Sequence, residues 1–207
     1  MGPRSYQLGK RQNLITQSRE RVLDAARSLL AESTNYVEFT VDGVARRANV
    51  ARATVYYQFE SKTGVLEALC DALANAGGMI DLATAFSTPD PIEAIHAFII
   101  CFGRFWNTDR LVMRRLRALA ALDQDVGNVI TARDDRRRAG VAVLLTRLVD
   151  QNLLDVNRDL ASRTLFSMTS FESFDSMTPE GQTFEETAEE IFAVTKVLWT
   201  PSRPAVH

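Results

Sequence analysis

The residues of this 207-residue chain best suited to chemistry lie close together, between Thr40 and Lys62. Arg52, Ala53, Thr54, Tyr56 and Tyr57 fall in one short run, with Thr40 upstream and Lys62 downstream. A guanidinium can form two parallel hydrogen bonds to guanine or hold a phosphate. Small side chains such as Ala53 and Thr54 can touch base edges or a thymine methyl, and tyrosine hydroxyls can reach phosphate oxygens. Lys62 and Thr40 each stand where a helix is expected to begin, and the exposed N–H groups of a helix start favour an anion. Covalent chemistry has no comparable basis. The sequence shows no nucleophile–base pair and no phosphate-cradling glycine loop. His96 and His207 are the only histidines and Cys70 and Cys101 the only cysteines, without metal-ligand spacing. The expectation is therefore a protein that is not an enzyme and carries no cofactor or metal, with two buried free thiols and no disulfide.

The run needs a scaffold, and the apolar spacing supplies one. Thr40 can cap a short helix whose inward face is Val41, Val44, Ala45 and Ala48. Asn49-Val50-Ala51 breaks the pattern. A second short helix, Arg52 to Phe59, then turns Val55 and Phe59 inward, Ala53 and Tyr57 outward, and Thr54 and Tyr56 to the flanks. Two brief helices joined by three residues read as a helix-turn-helix over about residues 41–60. Periodicity alone fits an ordinary amphipathic hairpin with a solvated Tyr-Tyr pair equally well.

The motif itself separates the two readings. Phe39, Thr40, Val44, Ala45, Ala48, Val50, Thr54, Tyr56, Tyr57, Phe59, Ser61, Lys62 and Leu66 follow the pattern of the DNA-binding domain of TetR/AcrR-family regulators, which the chain resembles over about residues 18–75. Three positions depart from it. Asn49 stands where glycine is frequent and can still adopt a left-handed turn. Ala51 stands where serine often caps the recognition helix, and Gln58 replaces a frequent histidine, with no role assigned to it. The resemblance implies an all-α fold, with an N-terminal three-helix helix-turn-helix domain and a C-terminal helical domain for effector binding and dimerisation. It also implies a homodimer bound to double-stranded operator DNA, acting as a repressor released by a small, mainly apolar molecule. A DNA-binding regulator without such an effector, controlled by a partner or acting as an activator, is the alternative.

Charge agrees with that division. Residues 1–62 carry ten Lys/Arg against six Asp/Glu, although the whole chain has a net charge of -2. Strand signals are scarce, and spacings of three and four recur throughout. The expected organisation is a flexible polar arm over residues 1–15 with Arg4, Lys10 and Arg11, a DNA-binding domain over 16–77, and an effector domain over 78–207 ending in a loose tail from Pro201. Helices are expected from Ser18 to Glu32, Pro91 to about Asn107, Arg110 to Leu122, Asp125 to Asn152 (with Gly140 a possible break), Arg158 to Ser176, and Phe184 to Trp199. Asp90 should cap the helix that starts at Pro91, and Thr183 with Glu186 should form a capping box. The longest apolar run, Ala97 to Phe102, is too short to span a bilayer, and the polar N-terminus lacks a signal-peptide pattern, so no membrane partner and a cytoplasmic location are expected.

Beyond residue 78 no motif is present. Phe98, Phe102, Phe105 and Trp106, with Met113, Met168, Phe171 and Phe174, are candidates to line an effector pocket, though apolar residues at helical spacing usually form core. Ala188, Ile191, Phe192, Thr195, Leu198 and Trp199 form the stripe that a dimer bundle would bury, with an internal core stripe as the competing reading. His96 reads as a satisfied structural histidine. The basic runs at 113–117 and 136–138 read as solvated faces paired with acids such as Asp134 and Asp135.

Overall fold

The computed structural model describes residues 3–32 and 39–199, with the side chains of the first helix described from Gln12 onward. Every regular element among the described residues is helical: α1 Pro3–Glu32, α2 Val41–Ala48, α3 Arg52–Phe59, α4 Lys62–Ala76, α5 Leu82–Ser87, α6 Pro91–Asn107, α7 Arg110–Ala120, α8 Gln124–Asp150, α9 Arg158–Met168, α10 Phe171–Met177 and α11 Phe184–Thr195. Short 3-10 turns at Met79–Asp81 and Lys196–Leu198 flank α5 and extend α11. No helix among the described residues is long and apolar enough to cross a membrane.

The chain forms two compact units, and their boundary differs from the expected one. The first comprises Met1–Ala72 together with Arg114–Val129, and the second comprises Leu73–Met113 and Ile130–His207. Residues 114–129, expected in the effector domain, thus belong with the helix-turn-helix. No local pattern could announce this, because contacts such as that between Lys62 and Asp123 span 61 positions of chain. The arm expected over residues 1–15 is helical from Pro3 onward, as the first part of α1. The side chains of Arg4, Lys10 and Arg11 and the tail from Pro201 lie outside the described residues.

In the first unit, Val22, Ala26 and Leu30 of α1, Val44 of α2, Val55 of α3 and Leu66 of α4 make the buried core. The second unit is built on α6, which packs against α5 and α11. Its start is as expected: Asp90 accepts hydrogen bonds from the Ile92 and Glu93 amides at 2.8 and 2.9 Å, with Pro91 in the first turn. The Thr183–Glu186 capping box likewise starts α11.

The helix expected from Arg158 to Ser176 is two helices. α9 stops at Met168, and Ser170 caps α10 by accepting from the Ser173 amide at 3.2 Å. The carbonyls freed at the break find distant donors. Trp106 Nε1 donates to the Thr169 carbonyl at 3.0 Å, and Arg137 donates to the Phe166 carbonyl and, at 3.0 Å, to Thr169 Oγ1. Arg137 therefore overturns the solvated-face reading of its basic run: it is only 4% exposed and closes a helix C-terminus from inside. Its neighbour Arg138 is exposed and paired with Asp135 at 3.8 Å, as expected. Gly140 does not divide α8, which is continuous.

Cys70 and Cys101 are both buried, as expected. Burial pushes the Cys101 thiol up to about 11. At pH 8 only about one thiol in a thousand would be thiolate, so Cys101 should resist alkylation until the chain unfolds, a result that mass spectrometry of labelled native protein would check. Gly103 lets α6 approach its neighbours closely: an added Cβ would lie 2.8 Å from the Phe184 carbonyl oxygen and 3.0 Å from Ala188 Cβ. Alanine gains about 1 kcal/mol of helix propensity over glycine, yet overpacking costs about 1–3 kcal/mol. Gly103→Ala should therefore lower the thermal midpoint.

Candidate nucleic-acid interface

The turn between α2 and α3 is shaped by three small adjustments of the backbone. Thr40 Oγ1 accepts from the Gly43 amide at 3.0 Å and starts α2, while its own hydroxyl proton remains available to an external acceptor. Asn49 ends α2 in the left-handed region at φ 52, and its N–H serves the Ala45 and Arg46 carbonyls. α3 then starts at Ala51, which adopts extended cap geometry without any side-chain cap. At the far end Glu60 takes φ 66, Ser61 caps α4 through the Gly64 amide at 3.0 Å, and Gly64 passes under the end of α3. A Cβ on Gly64 would sit 1.9 Å from the Phe59 carbonyl oxygen, so the tight α3–α4 turn requires glycine.

This turn presents α3 as its spacing predicts. Val55 and Phe59 are buried, Ala53 and Arg52 are exposed, Thr54 is half-buried, and Tyr56 and Tyr57 are 40% and 77% exposed. Two neighbouring tyrosines so open on one short helix offer both an apolar ring and a hydroxyl to a partner. Arg52 is already oriented by its neighbours. It pairs with Asp42 of α2 at 3.2 Å and donates to the Tyr56 hydroxyl at 3.1 Å, with its guanidinium 5.3 Å from the Tyr56 ring. The Tyr56 hydroxyl and Asp42 both hold the guanidinium in its charged form. Asp42 went unnoticed in the sequence, since acids in a first helical turn are common for reasons of the helix dipole alone.

Gln58 has a role that the sequence did not suggest. Its side-chain amide donates to Ser18 Oγ of α1, and Arg19 donates to the Gln58 carbonyl at 3.1 Å while its guanidinium lies 4.4 Å from the Phe59 ring. α1 thus grips the inner side of α3. Between them lies an open groove of about 370 Å³ bordered by Leu14, Ile15, Ser18, Ala53, Thr54, Tyr57 and Gln58.

Lys62 stands at the start of α4, as expected, but its ammonium is already engaged by Asp123. The same carboxylate accepts through Oδ1 from the Asp125 and Val126 amides at 3.1 and 3.2 Å, which caps α8. The Lys62 hydrogen bond, followed by these two amides, holds the Asp123 carboxyl below the usual range.

The other candidate residues fall in the second unit. Phe98, Phe102, Trp106, Met113, Phe171 and Phe174 are buried, while Phe105 and Met168 are half-buried. The rings touch in a continuous row: Phe98–Phe102 at 4.8 Å between centroids, Phe102–Trp106 at 5.9 Å and Trp106–Phe171 at 5.8 Å. Phe184, absent from the expected set, continues the row from Phe171 and Phe174. Most of the stripe assigned to a dimer interface is already covered within one protomer. Ala188, Ile191, Thr195, Leu198 and Trp199 are all buried within the protomer. Phe192 is half-buried under His96, whose ring lies 4.4 Å away and whose Nε2 sits 3.0 Å from the Glu189 carboxylate. An apolar stripe shows that a face is buried, not what buries it, and here α6 covers α11.

Comparison with known proteins agrees with this geometry. Residues 22–69 match the family described as bacterial regulatory proteins, tetR family. The HTH-type transcriptional regulator EthR of Mycolicibacterium smegmatis is 35% identical over 85 residues, which are 41% of this chain and 39% of that protein, so less than half of the relative's length is spanned. Among solved structures, the TetR-family regulator PfmR of Thermus thermophilus has a TM-score of 0.64 at 23% identity, covering 88% of this chain and 100% of that one. The ketosteroid transcriptional regulator KstR2 of Mycobacterium tuberculosis has a TM-score of 0.63 at 18% identity, covering 89% and 95%. These two likenesses concern the fold.

The uncapped start of α3 can be repaired. Ala51→Ser places an acceptor at a position that already has cap geometry, and it should stabilise the protein by about 0.5–2 kcal/mol, measured by denaturant unfolding.

Proposed function

We propose that the chain is a TetR-family regulator, a dimeric, sequence-specific transcriptional repressor released from a palindromic operator by a small, mainly apolar molecule; the match of residues 22–69 to that family supports this reading. The observation that carries the DNA-binding half is the outward face of α3, where Ala53, Tyr57 and Arg52 are exposed while Val55 and Phe59 anchor the helix from behind. Laid in a major groove, this face sets Arg52 against guanine, Ala53 and Thr54 against base edges or a thymine methyl, and Tyr56 and Tyr57 against phosphates. Thr40 and Lys62, at the starts of α2 and α4, flank it as further phosphate contacts. Two copies related by a twofold axis would place their α3 helices about 34–36 Å apart in successive grooves.

Release requires a molecule that binds the conformation with the wrong spacing more tightly than the DNA-bound one. The aromatic row of the second unit, from Phe98 through Phe102, Phe105 and Trp106 to Phe171 and Phe174 with Met113 and Met168, is the apolar region that would receive it. The mutual packing of those rings favours a second reading, a DNA-binding regulator whose helical domain takes no small molecule. Loss of operator binding on titration with apolar compounds separates the two.

Footprinting on the DNA upstream of its own gene should give one symmetric protected site. Arg52→Ala combined with Tyr57→Ala should abolish that protection. Retained sequence-specific protection in the double variant would sink the assignment.

A further inference from the structure

Lys62 carries an electrostatic conflict that Asp123 resolves. An ammonium in the first turn of a helix faces the positive end of the helix dipole, so the position favours an anion close by. DNA phosphate is one such anion. Asp123, on the turn between α7 and α8, is another and is already in place, with one oxygen on Lys62 and the other capping α8. Both side chains are 28% exposed, enough for exchange with an external partner. An ammonium held by a carboxylate has lost most of its attraction for a phosphate, because the pair is close to neutral at a distance.

We propose that Asp123 is an internal competitor of operator phosphate for Lys62, so that a residue about 60 positions beyond the helix-turn-helix sets operator affinity. The inference rests on the DNA-binding reading above and adds a residue that neither the motif nor α3 contains. When the pair opens, Lys62 turns to the phosphate and each subunit neutralises one more backbone charge. When it is closed, α3 can still lie in the groove, but the subunit binds with one fewer phosphate contact. α7 and α8 both continue beyond residues 114–129, so the turn that carries Asp123 is covalently continuous with the rest of the chain on either side.

The test is a double-mutant cycle on full-length protein. A duplex selected by the wild-type protein from a random pool serves as probe, and affinity is measured across a range of salt. Asp123→Asn removes the charge but keeps an oxygen to cap α8, and Asp123→Ser is a second neutral cap in case the first disturbs folding, which thermal unfolding would reveal. Either should raise affinity severalfold at low salt. Either should also steepen the dependence of log affinity on log salt by about 0.9 per additional phosphate contacted. Combined with Lys62→Met, both effects should vanish. A gain of equal size in the Lys62→Met background would mean general relief of negative charge and would overturn the proposal, as would no gain with Lys62 present. Failure of the wild-type protein to select any duplex would instead overturn the DNA-binding reading itself.

Discussion

An eight-residue helix cannot hold its own conformation in water, because nucleation costs more than its few hydrogen bonds return. α3 is such a helix, and it also lacks a side-chain cap at its start. What holds it is burial from behind: Val55 and Phe59 are sunk into the core of the first unit. The Gln58 contact with Ser18 and the placement of Arg19 over Phe59 fix its rotation against α1. The presentation of Arg52, Ala53 and Tyr57 follows from that anchoring. A helix face so dependent on its support responds to changes in α1 or α4 as readily as to changes in its own outward residues.

Buried charge organises the second unit in a different way. Arg137 and Trp106 serve the carbonyls exposed where α9 gives way to α10, and Arg137 also keeps an ion pair with Asp134 at 3.3 Å. Removing one partner from such a set leaves a buried polar group unsatisfied, so the break between the two helices is as firmly specified as the helices themselves. The aromatic row runs past this polar cluster, with Arg137 lying 5.9 Å from the Phe102 ring. A molecule entering the row would meet one buried guanidinium among apolar rings.

Much of the architecture was legible in the sequence. Capping signals at Thr40, Asp90 and Thr183 located three helix starts, because a cap is a local hydrogen bond between a side chain and a backbone a few residues away. The extent of α3 and its inward and outward faces followed from the spacing of Val55 and Phe59, and the motif from Phe39 to Lys62 carries the likeness to the tetR-family domain matched by residues 22–69. The caps and the helix faces depend on residues within one or two helical turns of each other, and the motif on a run of 24 consecutive residues.

Decisions that depend on distant parts of the chain required the tertiary structure. That Arg137 is buried while Arg138 is solvated, that α6 packs against α11, and that Arg52 leans on Asp42 are invisible to periodicity, which reports only that a face is covered. The membership of residues 114–129 in the first unit, with Asp123 drawn onto Lys62, is likewise a long-range fact. The sequence alone determined on which face of α3 Arg52, Ala53, Tyr56 and Tyr57 lie and which residues anchor it from behind, since local spacing dictates both. Only the tertiary structure decided which charges already have a partner, because a charge is satisfied by whatever the fold brings near it.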